Sequence, residues 1–467
     1  MTRYSIMLSA SEEPANKKRK MSSSDPERRK TTMLPVDVTK VGTFGTRSQG
    51  SDLLDDLEIT LDAKAYDAQH IIAAAVQLRI SDVPVAFPTE TVYGLGADAT
   101  RSEAVKGIYN AKGRPSDNPL IVHFSSLGQL RKVLRPDYNE SDTNDPIPAI
   151  YHPLIRRFWP GPLTIILPNP SDSPLAPEVT AGLSTFGARI PRHPLALALI
   201  SLSGRPIAAP SANASTKPSP TAAEHVAHDL DKKIDMIIDG GPCDVGVEST
   251  VVDGLSSPPV VLRPGGVGIE ELRKCEGWKD VRVGYEDAAE KSGTPRAPGM
   301  KYRHYSPKAR VVLFEAGSRL PGGEEIVGHC QQNNRIGLIR TKTWDFNAND
   351  EMTPIRRAAA QAVAHTNGHH ETSSGFAGML QTLHKQHERL LTTSHKISTS
   401  AGDVAVLDIA LGRNVADIAR GVFAALRELD LAGVDAILVE GIDESDSSVA
   451  AAVMNRLRKA AEVHVGG

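Results

Sequence analysis

Three cysteines, Cys243, Cys275 and Cys330, are all that the 467 residues contain. They are too few and too scattered for a disulfide framework or a four-thiolate zinc site, and they point to a reducing compartment. Aromatic residues are sparse at 4%, which excludes extensive base-stacking platforms. No apolar run reaches the ~18–20 residues that a helix needs to cross a bilayer, so no membrane partner is expected. There is no G-x-x-x-x-G-K-[ST] loop, so a nucleotide would have to be held in another way. There is no H-E-x-x-H metal motif either. The net charge of only −3 says little about partners.

What is present is globular material. Hydrophobic residues make up 40% of the chain and charged residues 23%, and at ~150 residues per domain the length suggests two or three domains. The 38 glycines and 32 prolines predict many shaped loops. Residues 1–30 carry eight Lys/Arg against four Asp/Glu, with basic runs at Lys17 to Lys20 and Arg28 to Lys30. Residues 1–56 therefore read as a disordered basic tail, with a nuclear-import address or a weak nucleic-acid contact as the other reading. Order is expected from Leu57. Helical spacing runs from Asp67 to Leu78, and a second helix starts at Ser102, placed as its cap. Short strands are expected at Val83–Phe87, Leu120–Phe124, Leu163–Leu167, Gly187–Ile190, Ile207–Ala209, Met236–Ile238, Thr250–Val252 and Val260–Leu262. They suggest an α+β or mixed α/β domain over 57–280. A polar, Pro-rich linker follows at 281–308. Over 309–467, strands at Arg310–Phe314, Arg335–Ile339, Val404–Ile409 and Ala436–Val439 alternate with helices at Val415–Leu429 and Ser448–Ala460. That rhythm predicts a parallel sheet with crossover helices. The polar, His-rich stretch at 344–399 fits neither pattern.

Several loops carry groups that could do chemistry. Gly94-Leu95-Gly96-Ala97-Asp98-Ala99 matches the dinucleotide pattern formally. It lacks the strand-to-helix context, so a glycine turn allowing close packing is the better reading. Lys112-Gly113-Arg114-Pro115 places two cations on one side of an extended loop. They could grip a polyphosphate, or could be incidental surface charges. Pro210-Ser211-Ala212-Asn213 follows an apolar strand, and small neighbours would let a ligand reach the backbone; an ordinary Ser/Asn turn is the alternative. Glu248-Ser249 and Arg263 occupy similar strand-end loops. His369, His370, His384 and His387 read as a solvated face rather than a metal site.

Together, Phe87-Pro88-Thr89-Glu90-Thr91-Val92-Tyr93-Gly94-Leu95, Lys112-Gly113-Arg114-Pro115, Pro119 to His123 and Pro210-Ser211-Ala212-Asn213 resemble the YrdC-like threonylcarbamoyl-AMP synthases. The linker from Pro298 to Pro307 and the α/β region after it resemble the long, two-domain branch. The resemblance implies an α/β fold. It has a YrdC-like twisted sheet domain with a concave cavity, followed by a Rossmann-like parallel α/β domain. It implies that L-threonine, bicarbonate and ATP give threonylcarbamoyl-AMP and pyrophosphate. The expected compartment is the cytoplasm, with a nuclear or mitochondrial share as the alternative. A separate tRNA threonylcarbamoyltransferase would then act on the adenosine beside the anticodon. Lys112, Arg114, Ser211 and Asn213 would carry the catalysis. Arg114, Asn118, Thr185, Ser211, Ser219, Arg263 and Tyr302 would bind ATP. Thr91, His123, Arg189, Ala209 and Ser249 would bind L-threonine. Mg²⁺ is expected on the ATP phosphates, with no protein ligand named. The alternative is a double-stranded RNA-binding module, since a basic concave surface also suits a duplex. A related carbamoyltransferase of hydrogenase maturation carries zinc-finger cysteines, which this chain lacks.

Overall fold

The computed structural model describes residues 30–46, 54, 57–139, 142, 144–284, 304–345, 353–354, 390–399 and 402–466. The basic runs up to Arg29, Tyr302, and the four histidines from His369 to His387 lie outside the described residues. So does most of the expected linker.

Thirteen described strands precede residue 285: β1 (Thr32–Pro35), β2 (Gly42–Thr46), β3 (Leu57–Leu61), β4 (Val85–Phe87), β5 (Gly94–Asp98), β6 (Ile121–His123), β7 (Leu163–Pro168), β8 (Thr185–Arg189), β9 (Ile207–Ala208), β10 (Met236–Asp239), β11 (Thr250–Asp253), β12 (Val260–Arg263) and β13 (Arg282–Val283). β2 and β3 form a separate ribbon. The rest form one mixed sheet in the order β1-β10-β4-β5-β9-β6-β8-β7-β11-β12-β13. Its central strands are buried on both faces, because helices cover them. Helix Tyr66–Ile80 packs with helix Pro194–Ser203 on one side. The latter is buried almost all round, so its sequence PLALALISLS shows an apolar run and no helical period.

The expected tail needs correction from Thr31 onward. β1 adds to the sheet edge in parallel, with Thr32 opposite Met236 and Pro35 opposite Asp239. Thr31 Oγ1 donates to the Ile234 carbonyl at 2.6 Å, and Val36, Val38 and Val41 are buried. A four-residue edge strand is too short to show a period in the sequence. The glycine turn at Gly94–Ala99 is likewise corrected. Gly94–Asp98 is a buried central strand, though the glycines do serve close packing. A Cβ on Gly96 would lie 2.5 Å from the Phe87 ring and 2.8 Å from Ile207. Ser102 is not a cap, because its hydroxyl donates to Glu178 Oε2 at 2.9 Å.

After residue 303, strands β14 (Arg310–Phe314), β15 (Arg335–Arg340), β16 (Thr353–Pro354), β17 (Thr392–Thr399), β18 (Gly402–Ala410), β19 (Ala436–Glu440) and β20 (Val463–Val465) form a second sheet. Its order is β16-β17-β18-β15-β19-β14-β20. The run from β18 to β20 is parallel, and β16 and β17 add an antiparallel edge. Helices Val415–Leu431 and Ser448–Ala460 cover one face with their apolar stripes. This is the expected parallel α/β architecture.

Candidate active site

The first sheet delivers its polar groups at strand ends. The loop after β4 carries Thr89, Glu90 and Thr91. β6 ends at His123, β8 at Arg189 and β12 at Arg263, while Ser211 follows β9 and Glu248-Ser249 precede β11. They converge on one cavity, lined by Thr89, Thr91, Arg114, His123, Arg189, Ala209, Ser211, Glu248, Ser249, Arg263, His304 and Tyr305 among others.

Three guanidinium groups sit around this space, each no more than 9% exposed. Arg189 donates through Nε to the Gly161 carbonyl at 3.1 Å, through Nη1 to Thr91 Oγ1 at 3.0 Å, and through Nη2 to Glu90 Oε1 at 2.6 Å. Five N–H donors in a rigid fork leave two beyond these bonds. Burial raises the Glu90 carboxyl, but the Arg189 and Arg192 charges outweigh it and hold it below its ordinary value. Arg263 is held by the Ser249 carbonyl at 3.1 Å and Ser249 Oγ at 3.1 Å. Arg114 donates to the Pro119 carbonyl at 3.2 Å, and its buried Nε has no partner among the described residues. Burial lowers both Arg114 and Arg263 to about 10.

His123 is buried, and its Nδ1 has no partner among the described residues. Desolvation, reinforced by Arg189, lowers it to about 3. His304 is lowered to about 3 by burial and by Arg114. Both imidazoles are neutral at pH 7, so they can exchange hydrogen bonds but carry no charge.

The structure brings Thr91, Arg114, His123, Arg189, Ala209, Ser211, Ser249 and Arg263 into one lining. The others stand differently. Lys112 is the last residue of helix Ser102–Lys112, and Gly113, at φ 61°, turns the chain after it. The expected extended pair is thus a helix end and a left-handed cap. Lys112 Nζ donates to the Ser211 and Asn213 carbonyls at 2.5 and 2.6 Å, so it braces the loop that carries Ser211. Ser211 Oγ donates to Asn213 Oδ1 at 2.5 Å, and Asn213 Nδ2 ties down the Ala214 and Lys217 carbonyls at 2.9 Å. Ser219 is fully buried and donates to Glu248 Oε1 at 2.5 Å. Asn118 is 7% exposed, with Oδ1 unpartnered among the described residues. Thr185 starts β8, roughly 13 Å from Arg189 at ~3.3 Å per residue, and is not in the lining.

Glu248, His304 and Tyr305 were missed as site residues. The first sits beside Ser249, and the other two lie in the linker motif that drew attention only to Tyr302. Their own signal was a charged or aromatic group inside a polar loop, which many surface loops share.

Curated proteins called threonylcarbamoyl-AMP synthase align along most of this chain. The Schizosaccharomyces pombe protein is 45% identical over 410 residues, covering 84% of this chain and 88% of its own. The Bacillus subtilis protein is 42% identical, covering 87% and 96%. This chain belongs to the threonylcarbamoyl-AMP synthase family. The family model described as telomere recombination, for Sua5, YciO and YrdC, matches residues 80–265. The threonylcarbamoyl-AMP synthase C-terminal domain model matches 267–462. Pyrococcus abyssi Sua5, solved in complex with L-threonine, superposes with a TM-score of 0.64 at 36% identity, covering 93% of this chain and all of that one. The resemblance read from the loops is therefore borne out, and so is the two-part α/β fold. Among the described residues, no helix is long and apolar enough to cross a membrane. Nor does any group of three or more His, Cys, Asp or Glu there fit a metal ion.

Proposed function

We propose that this chain makes L-threonylcarbamoyl-AMP from L-threonine, bicarbonate and ATP, releasing pyrophosphate. The observation that carries the reading is the convergence of Arg114, Arg189 and Arg263 on one cavity, in a chain of this family. The substrates bring a carboxylate and a triphosphate, and buried guanidinium forks suit both. The duplex-RNA alternative fits poorly, because Arg114, Arg189 and Arg263 are each no more than 9% exposed, whereas a duplex is read through contacts to its backbone and 2′-hydroxyls.

Arg189, fixed by Glu90 and Thr91 with two N–H donors to spare, takes the threonine carboxylate. Thr91, neutral His123, Ala209 and Ser249 frame the amine and hydroxyl. Arg114, Ser211 and Arg263 face the phosphates, with Asn118 nearby and Thr185 further out along β8. Ser219 acts through Glu248, Lys112 and Asn213 hold the Ser211 loop, and Tyr302, outside the described residues, keeps the ATP-binding role that the family resemblance implies. The neutral threonine amine attacks bicarbonate, giving a carbamate and water. A carbamate oxygen then attacks the α-phosphorus, and pyrophosphate leaves with its electron pair. Neither step needs a covalent bond to the protein, so catalysis rests on positioning and charge. Mg²⁺ would be held by the ATP phosphates, where it would offset their charge; Glu90 and Glu248 are already ion-paired. The product passes, in the cytoplasm, to a separate tRNA threonylcarbamoyltransferase, and the basic N-terminal segment gives weak RNA contact.

Pyrophosphate release measured with each substrate omitted in turn tests this reading. Full release should require L-threonine, bicarbonate and ATP together. Release that ignores threonine would overturn it.

A further inference from the structure

Glu248 poses an electrostatic problem. Its carboxylate lines the cavity, is buried, and is held at about 2 by the charges of Arg456 and Arg263 against its own desolvation. An ionised carboxylate on the wall of a polyphosphate site repels the substrate by Coulomb's law, most strongly where water is excluded. Its neutralising partner comes from the second α/β unit. Arg456, on helix Ser448–Ala460, donates through Nε to Glu248 Oε2 at 3.0 Å and through Nη1 to the Pro264 carbonyl at 2.6 Å. It is 1% exposed, and its guanidinium lies 5.9 Å from the centroid of the Tyr305 ring.

The docking that brings Arg456 there is tight. A Cβ on Gly246 would lie 2.3 Å from the Arg420 backbone, and one on Gly268 would lie 1.6 Å from Ser448 Oγ. Tyr305 stacks on Phe423 with centroids 5.2 Å apart. The second α/β unit therefore contributes the charge that pairs with Glu248 of the cavity wall.

We propose that Arg456 is a positioning residue for the phosphate end of the active site. It neutralises Glu248 and holds it on Ser219, so the cavity accepts a polyphosphate only while the two units are docked. The inference rests on the threonylcarbamoyl-AMP synthase reading. Wild-type enzyme must first show release dependent on all three substrates, and failure there sinks that reading rather than this one.

With that dependence in hand, KM for ATP and for threonine are measured in Arg456→Met, in Glu248→Gln and in the double variant. Arg456→Met should raise KM for ATP at least tenfold and move KM for threonine less than threefold. With the Glu248 charge already removed, Arg456→Met should change KM for ATP by less than threefold, so the double variant should match Glu248→Gln. If Arg456→Met alone fails to fold because it strands a buried carboxylate, the comparison of the double variant with Glu248→Gln decides. Agreement of those two in KM for ATP supports the proposal, and a tenfold difference between them overturns it. An unchanged KM for ATP in folded Arg456→Met, or equal rises for both substrates, overturns it as well.

Discussion

Each of the three cavity arginines is satisfied to a different degree, and that difference ranks their roles. Arg189 is locked on three sides and works as a fixed fork. Arg263 is anchored on Ser249. Arg114 keeps its Nε buried without a partner among the described residues, and unmade hydrogen bonds of a buried charge are costly until a ligand makes them. Arg114 is therefore the arginine with most to gain from a transferring phosphoryl group. Replacing it with alanine should lower the rate of threonine-dependent pyrophosphate release by about 10²–10³-fold, the scale of one lost electrostatic donor. A lysine there keeps a charge without the planar fork and should recover only part of the loss. Full release by the alanine variant would remove Arg114 from the phosphate site.

At the scale of elements, β5 is the strand on which the site depends most. Gly94 and Gly96 let it lie against Phe87 of β4, and Gly94 bridges to Ser211 in the candidate site. Alanine at 96 forces a methyl group to 2.5 Å from the Phe87 ring and 2.8 Å from Ile207, between two buried strands that cannot both move. Overpacking of this kind costs about 1–3 kcal/mol. Gly96→Ala should therefore lower the midpoint of thermal unfolding, and an unshifted midpoint would show that β5 has room. The same strand shows what a sequence conveys. Most strands and both long C-terminal helices were legible, because burial on one or two faces leaves a period or an apolar run. β1 was not, since four edge residues carry no pattern, and helix Pro194–Ser203 was not, since burial on all sides erases one. The residues of the cavity lining were legible mainly through their loop motifs. The pairings that decide their roles were not, because Lys112 reaches Ser211 and Arg456 reaches Glu248 across 99 and 208 residues.

For the whole molecule, buried titratable groups set the pH range of stability. His123 and His304 are lowered to about 3, and His193 and His225 to about 4, in each case chiefly by desolvation. The unfolded chain takes up these protons near pH 6.5 and the folded chain does not. Stability is therefore intact above about 6.5 and falls as pH drops from there toward 3–4. At pH 5 each such histidine costs on the order of 2 kcal/mol relative to pH 7. Burial lowers Lys459 to about 7, so stability also rises between 7 and the lysine's ordinary range. Cys243 is raised by burial; the unfolded thiol ionises first, and stability falls again above about 9. The maximum should lie on the alkaline side of neutrality. His193 isolates one proton of this dependence, because its Nδ1 accepts from the Leu195 N–H at 3.2 Å as the cap of helix Pro194–Ser203. Asparagine can make the same cap and cannot titrate. In denaturant titrations from pH 7 to 5, His193→Asn should lose stability less steeply than wild type, by up to about 1.4 kcal/mol per pH unit. Parallel slopes for the two proteins would mean that His193 is protonated in the folded chain.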